Sequence, residues 1–166
     1  QIYLESGLFF SGVRPAMNVG LSVSRVGGAA QTTAIKQTAG SLRIDLARFR
    51  ELEIFTQFSS DLDSSTQDTL AYGKQLIEIL KQPLGAPLSV SHQAVILYAA
   101  THRLAQGVPL AQINRFMRGL AASLEATDPA VMNSTQETGA LSEAAKAAIE
   151  AASLRFEKQV STQWQA

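Results

Sequence analysis

Apolar side chains recur at alternating spacings of three and four residues through most of the chain after residue 31. This spacing places the apolar positions on one face of an α-helix. Over residues 32–58 the apolar positions of this stripe are Ile35, Ala39, Leu42, Leu46, Phe49, Leu52, Phe55 and Phe58. We therefore predict one long first helix over 32–58, in which Gly40 permits a bend or a close contact with another helix.

Capping residues and helix breakers divide the rest of the chain. Ser64-Ser65-Thr66-Gln67 matches the capping box that begins a helix, and the segment 83–87 contains two prolines and a glycine that end it. Ser89 is suited to cap the next helix, which we expect to end at Gly107.

Two further helices complete the pattern. Pro109 suits the first turn of the next one, and its predicted inward positions are Ile113, Phe116, Met117, Leu120 and Leu124. Asp128-Pro129 breaks the pattern again, and the last helix is expected over 140–160. Amphipathic helices joined by short loops bury their apolar stripes against one another, so we predict a mainly α fold whose larger part is a helical bundle.

Residues 1–31 differ from the rest of the chain in their pattern of apolar residues and glycines. Five of the eleven glycines fall here, at Gly7, Gly12, Gly20, Gly27 and Gly28. Short apolar runs separated by glycines predict strands and loops, with Ile2-Tyr3-Leu4 as the first strand. We divide the chain into residues 1–31, a short β and loop segment, and residues 32–166, the long helix and the bundle. Because the sequence opens on Gln1 directly into a strand-like run, we expect it to be part of a longer protein.

Composition and charge restrict the functional classes. Hydrophobic residues make up 46% and charged residues 17%, which is typical of an ordered globular protein. Lys+Arg and Asp+Glu both number 14, so no long-range field attracts nucleic acid or an anionic membrane. There is no cysteine for a disulfide or a thiolate, and no apolar run approaches the roughly 20 residues that cross a bilayer. We therefore expect no nucleic-acid partner and no direct insertion into a membrane.

Two segments imitate ligand-binding loops but lack their essential residues. Residues 7–12 have the glycine spacing of a phosphate-binding loop, but Val13-Arg14 stands where Lys-Ser/Thr is required. Residues 61–72 begin like a calcium loop, but Thr66 replaces the glycine of the sharp turn and Tyr72 replaces the bidentate glutamate. The chain thus has no phosphate-binding loop, and we predict no metal site.

Three further polar side chains are candidates for chemistry. His92 and His102 are ten residues apart on one predicted helix, so they point to different faces without an acidic partner at ligand spacing. We predict that they are solvent-exposed or cap a helix. Arg25 lies among small residues just before Gly27-Gly28, where a guanidinium is suited to reach a phosphate group in a neighbouring subunit. From the residues alone an ordinary surface arginine is favoured over this role.

The stretch from Arg14 to Gln31 resembles the signature R-P-A-[IM]-N-V-G-x-S-V-S-R-V-G-[GS]-A-A-Q of F-type ATP synthase alpha subunits. Three other segments, 1–5, 57–63 and 80–83, resemble the family's Q-I-[FY]-L-E, Q-F-[GA]-S-D-L-D and L-K-Q-P motifs in the right order. The resemblance is strong from residue 1 to about residue 105 and weaker after it. It implies that residues 1–31 end a nucleotide-binding domain and that the rest is the C-terminal helical domain.

The resemblance also implies partners and cofactors. Alpha subunits alternate with beta subunits in a hexamer around the gamma rotor stalk, in contact with the delta and peripheral stalk, and the full-length subunit binds ATP or ADP with Mg. The complex couples ATP synthesis or hydrolysis to proton transport as a peripheral complex on the cytoplasmic face of the bacterial plasma membrane. This chain alone, without a phosphate-binding loop, is expected to be inactive and not to bind nucleotide tightly. The alternative is a free-standing helical-bundle interaction module without a nucleotide function.

Individual site residues follow from the same resemblance. Arg25 matches the arginine finger that reaches into the catalytic site of the adjacent beta subunit. Arg14 and Pro15 match positions that line the adenine pocket of the alpha subunit's own site, and Gln82 matches the first glutamine of a K-Q-x-Q element on that pocket. Leu84 replaces the second glutamine, which calls hydrogen bonding to adenine at that position into question and points instead to an apolar wall.

Overall fold

The computed structural model describes residues 1–56 and 62–161. Within these ranges the structured elements are helical, which confirms the predicted mainly α fold class. In chain order they are α1 (Ser6–Phe10), α2 (Arg25–Ala30), α3 (Thr33–Ala39), α4 (Leu42–Thr56), α5 (Ser64–Leu80), α6 (Val90–Thr101), a 3₁₀ turn (Leu110–Gln112), α7 (Ile113–Thr127), α8 (Pro129–Thr138) and α9 (Glu143–Val160). None of the helices described is both long and apolar enough to span a membrane.

The centre of the bundle is α6, which packs against α3, α7, α8 and α9. Seven of its twelve residues are buried, and several are alanines that let neighbouring helices approach closely. The five inward positions predicted for α7 are all buried, at no more than 2% exposure, which confirms that stripe. Burial of side chains of this size stabilises the fold by about 1.5–3 kcal/mol each, so the α7 stripe makes a large contribution to stability.

The prediction of one continuous helix over 32–58 is wrong. The chain forms α3 and α4, separated at Gly40-Ser41, because α3 packs on α6 whereas α4 packs on α5. Phe55 was predicted to lie on the buried stripe but is 67% exposed, so α4 extends beyond the partner that would cover it. Phe58, which was assigned to the same stripe, lies outside the described residues, as does most of the 57–63 motif.

Two helix ends differ from their predicted positions. The cap of α5 is Asp63, whose carboxylate accepts from the backbone N–H of Thr66 at 2.7 Å, one residue before the predicted capping box. Ser89 caps α6 as predicted, but α6 ends at Thr101 and not at Gly107. The reason is that Arg103 adopts a left-handed backbone with φ of 55°, which turns the chain away from the helix axis.

Helix α8 was not predicted. Asp128-Pro129 reads as a helix breaker, but it also begins a new helix: Asp128 accepts from the backbone N–H of Val131 at 3.4 Å, and Pro129 occupies the first turn. Gly139, with φ of 64°, ends this helix in the left-handed conformation. The Asp128-Pro129 pair therefore ends α7 and also begins α8.

Residues 1–31 do not contain the predicted strands. The β structure described there is a single antiparallel bridge between Leu4 and Met17, because a strand requires neighbours that this segment does not supply. Asn18 attaches the segment to the bundle: its side-chain oxygen accepts from the guanidinium of Arg50 on α4 at 2.9 Å. The glycine-rich segment is thus a loop region with two short helices, held against α4.

A buried tyrosine joins α6 to α9 and predicts a dependence of stability on pH. Tyr98 is 4% exposed, and its hydroxyl donates to a carboxylate oxygen of Glu150 at 2.8 Å. Burial, together with the Glu150 carboxylate, raises the pKa of Tyr98 from 10.0 to about 12. Because the pKa is higher in the folded state, this stabilisation is complete below pH 10 and is lost as the pH rises from 10 to 12. The shift corresponds to about 3 kcal/mol.

We expect the urea midpoint of the chain to fall steeply between pH 10 and 12, and Tyr98→Phe to flatten that fall. Tyr72 is the natural control, because burial also raises its pKa to about 12, but it is only partly buried. Tyr72→Phe should therefore remove a smaller share of the slope. An identical pH profile for Tyr98→Phe and the unaltered chain would contradict the assignment.

Candidate functional site

Arg14 and Gln82, which are far apart in the sequence, meet in the structure. The backbone N–H of Gln82 donates to the carbonyl oxygen of Arg14 at 2.9 Å. The Arg14 guanidinium lies over the ring of Phe9, with 4.3 Å between its central carbon and the ring centroid. The loop after α1 and the loop after α5 are therefore joined directly, and the two residues that the resemblance assigned to one pocket are neighbours.

Local sequence explains why these two loops meet. Gly12 has φ of 84°, a conformation that favours glycine, and it turns the chain back so that Val13 donates to the carbonyl of Leu8. Helix α5 ends at Leu80, because Pro83 follows and Lys81 already has an extended backbone. Both loops then run along the same end of α5.

An open cleft of about 480 Å³ lies at this junction, and we call it the basic cleft. Its lining residues are Gly12, Arg14, Lys81, Gln82, Pro83, Asn114 and Arg118. Three of them are cationic and none is acidic. Glu78 lies next to Lys81, and its carboxylate accepts from the Lys81 ammonium at 2.5 Å. The charges of Arg14 and Arg118 remain without a carboxylate among the described residues.

A second cavity of about 260 Å³, the inner chamber, adjoins the basic cleft through shared lining residues. Gln82, Asn114 and Arg118 line both cavities. The apolar part of the inner chamber consists of Ile35, Ala39, Leu42, Ile79, Leu80, Leu88, Ile96, Leu97 and Met117. The two cavities together form a donor-rich mouth over an apolar interior, an arrangement typical of small-molecule sites.

The remaining predicted residues are placed differently. Pro15 is exposed and lines neither cavity; it is joined to Arg14 by a cis peptide bond. Leu84 is fully exposed and lines neither cavity. Arg25 lines neither cavity. It is the first residue of α2 and is exposed, and its side chain has no hydrogen bond or ion pair within the described part of the chain.

The family model for the ATP synthase alpha/beta chain, C terminal domain, matches residues 31–156, about three quarters of the chain. The chain belongs to this family. The stretch from Arg14 to Gln31, which resembles alpha subunits, lies almost entirely before the matched residues. Similarity to individual relatives is therefore an independent test of that resemblance.

Three of the relatives are named ATP synthase subunit alpha. The protein from Leuconostoc mesenteroides is 52% identical over 153 residues, covering 91% of this chain and 30% of that protein. The protein from Latilactobacillus sakei is 54% identical over 138 residues, covering 83% and 27%. The protein from Lactobacillus delbrueckii is 51% identical over 141 residues, covering 85% and 28%. The chain thus spans less than a third of the length of these curated relatives, and the predicted resemblance to alpha subunits is confirmed.

Sequence reasoning missed three residues of the basic cleft in this member of the ATP synthase family. Lys81 directly precedes Gln82, so its position in the sequence could have suggested it. Asn114 and Arg118 lie one turn apart on α7, and no local signal connects them with Arg14 or Gln82. Only the packing of α7 against α5 brings them to the cleft.

The histidines follow the prediction in part. His102 caps the C-terminal end of α6, and its Nδ1 lies 3.0 Å from the carbonyl oxygen of Tyr98. His92 lies 2.8 Å from the Ser89 hydroxyl through Nδ1, as expected for a residue in the first helical turn. His92 also has an acidic neighbour that the sequence did not indicate, because α7 brings a carboxylate oxygen of Glu125 to 3.5 Å from its Nε2. Within residues 1–56 and 62–161 no cluster of His, Asp and Glu is large enough to hold a metal ion.

Proposed function

We propose that this chain completes two kinds of nucleotide site in an ATP synthase. Arg14 and Gln82 contribute to the adenine pocket of the alpha subunit's own site, and Arg25 acts as an arginine finger in the catalytic site of an adjacent beta subunit. The observation that carries the proposal is the direct bond between Arg14 and Gln82 at the basic cleft. Two residues 68 positions apart, chosen from the resemblance alone, share one cleft.

The proposed domain division follows the family match. Residues 1–31 end the nucleotide-binding domain, and residues 32–166 form the helical domain; the family model begins at residue 31, which supports this boundary. The chain has no phosphate-binding loop, so phosphates and Mg are held by the rest of the alpha subunit or by the beta subunit. We infer that this chain by itself neither hydrolyses ATP nor binds Mg-ATP tightly.

The proposed partners are the beta subunits of an alternating hexamer, the gamma rotor stalk, and the delta and peripheral stalk. The bacterial relatives support a proton-transporting complex that is peripheral to the plasma membrane on its cytoplasmic face. The complete complex uses ATP and ADP with Mg. A cationic side chain such as Arg25 offsets the charge that develops on the transferring phosphoryl group, so an exposed arginine without an internal partner suits this role.

Nucleotide binding at the alpha site tests the adenine-pocket proposal. Gln82→Ala in the assembled enzyme keeps the main-chain bond to Arg14 but removes the side-chain amide. We expect it to weaken adenine nucleotide binding at that site by about three- to tenfold, the effect of one lost hydrogen bond. Equilibrium dialysis with catalytic-site occupancy held constant measures this change.

Gln106→Ala is the matched control, because Gln106 is the same residue type, is exposed and lies outside both cavities. It should leave the affinity unchanged. The 166-residue chain alone should show no micromolar binding of Mg-ATP by isothermal titration. Unchanged affinity in Gln82→Ala would favour the alternative of an interaction module without a nucleotide function, whereas micromolar binding by the chain alone would contradict the inference that it does not bind Mg-ATP tightly.

A further inference from the structure

We infer that Arg118 forms a binding site for a phosphate-class anion at the junction of the basic cleft and the inner chamber. The inference goes beyond the adenine-pocket proposal, because it concerns a different group, a different residue and a ligand that need not contain a base. It begins from the position of Arg118, which lines both cavities.

Arg118 is half-buried on α7, and no hydrogen bond or ion pair of its side chain occurs within the described residues. A guanidinium is always charged, and removing it partly from water without a partner is unfavourable. Partly buried arginines are therefore normally paired with a carboxylate or another anion. Because the described residues supply no carboxylate to Arg118, its guanidinium is available to an anion that enters the cleft.

The surroundings of Arg118 select an anion. The lining of the basic cleft includes the cations Arg14 and Lys81 and the amide of Gln82, without a carboxylate. The Asn114 amide also lines it but already donates to the backbone carbonyl of Glu78 at 2.6 Å. The nearby carboxylate of Glu78 is occupied, because it accepts from Lys81 at 2.5 Å and lies 3.5 Å from the side-chain nitrogen of Asn114. A ligand rich in acceptors and negatively charged matches this set of donors.

The geometry of arginine favours a phosphate over a monatomic anion. Its planar fork of N–H donors binds two oxygens of a phosphate or carboxylate at once. The basic cleft, at about 480 Å³, has room for a phosphate or diphosphate with its hydration water. Because the cleft is open to solvent and the phosphate-binding loop is lacking, the site is expected to be weak, with a dissociation constant in the millimolar range.

Inorganic phosphate and pyrophosphate, titrated separately into the 166-residue chain at constant ionic strength, test the inference. ¹⁵N spectra should show saturable shifts of the Arg118 side-chain nitrogen and of the Asn114 amide. Arg118→Ala should weaken binding by at least about tenfold, the effect of losing charged hydrogen bonds. Arg118→Lys should retain part of it. Arg115→Ala is the matched control, because Arg115 is one turn away on the same helix, is exposed and lines neither cavity; it should leave binding unchanged.

Three results would overturn the inference. The first is the absence of a saturable shift with both anions. The second is equal weakening by Arg115→Ala and Arg118→Ala, which would indicate a diffuse charge effect. The third is Arg118-dependent binding of adenosine but not of phosphate, because the site would then recognise a base. Failure here leaves the effect of Gln82→Ala on nucleotide affinity untouched, so the two proposals can fail separately. Comparing the affinity for adenosine monophosphate with the affinity for inorganic phosphate then shows whether the site prefers the phosphate of a nucleotide or free phosphate.

Discussion

Arg25→Lys in the assembled enzyme is expected to lower multisite ATP turnover by at least about a thousandfold, within the range measured for arginine fingers. Lysine keeps the positive charge but has a single ammonium in place of the planar fork, so it cannot contact two phosphoryl oxygens at once. Binding of nucleotide to the catalytic sites should change little, because the finger acts on charge that develops during transfer. Steady-state hydrolysis and equilibrium nucleotide binding, measured on the same preparation, separate these two effects.

The position of Arg25 in the structure indicates that Arg25→Lys leaves the fold intact. Arg25 is the first residue of α2, and its side chain is exposed. A cation at the N-terminal end of a helix is not favoured by the helix dipole, so Arg25 does not stabilise α2. The cap of α2 is supplied by Ser24, whose hydroxyl accepts from the backbone N–H of Gly27 at 2.8 Å. A change at Arg25 should therefore act on activity without a change in stability.

Arg155→Lys is the matched control, because Arg155 is also exposed but lies on α9, in the helical bundle. It should retain turnover. Near-normal turnover in Arg25→Lys would refute the finger assignment. A parallel loss of nucleotide binding and turnover would assign Arg25 to binding the ground state of the substrate.

A structural feature could be predicted from the sequence where it depends on contacts within one helix, but not where it depends on how helices pack against one another. The stripe of α7 could be predicted because Ile113, Leu120 and Leu124 repeat at helical spacing and face one core. The break between α3 and α4 could not, because Gly40 keeps a helical backbone and the change of packing partner is a tertiary effect. Helix α8 was missed because the same Asp-Pro pair serves as a breaker and as a start signal.

The candidate site shows the same limit more clearly. Arg14 and Gln82 were found only through resemblance to a family, since no periodicity links loops that are 68 residues apart. Arg118 has no sequence signal at all, because its position one turn after Asn114 is that of an ordinary polar face of α7. Its functional interest arises only when α5 and α7 pack and leave it half-buried, with no acidic partner among the described residues.

Gly73→Ala is expected to destabilise the chain by about 2 kcal/mol, although alanine is the better helix former. Gly73 lies inside α5, and a Cβ built there would lie 2.2 Å from two ring carbons of Phe49 and 2.5 Å from its Cβ. Phe49 is 1% exposed on α4, so its ring has no free space to move into. The contact with Phe49 Cβ, which is fixed to the backbone, means that α4 and α5 must separate. Urea unfolding followed by circular dichroism measures the loss as a lower midpoint at constant slope.

Gly40→Ala is the control for helix propensity, because Gly40 has φ of −57° and the nearest atom to a new Cβ is 3.5 Å away. It should be neutral or stabilise by up to about 1 kcal/mol. Phe49→Ala alone should cost about 3–5 kcal/mol through lost burial and the cavity left behind. The double variant separates the contribution of the ring: Phe49→Ala removes the ring carbons but keeps the Cβ, so Gly73→Ala should cost less in that background than in the unaltered chain, without becoming neutral. If Gly73→Ala costs the same in both backgrounds, the loss does not come from overlap with the Phe49 ring.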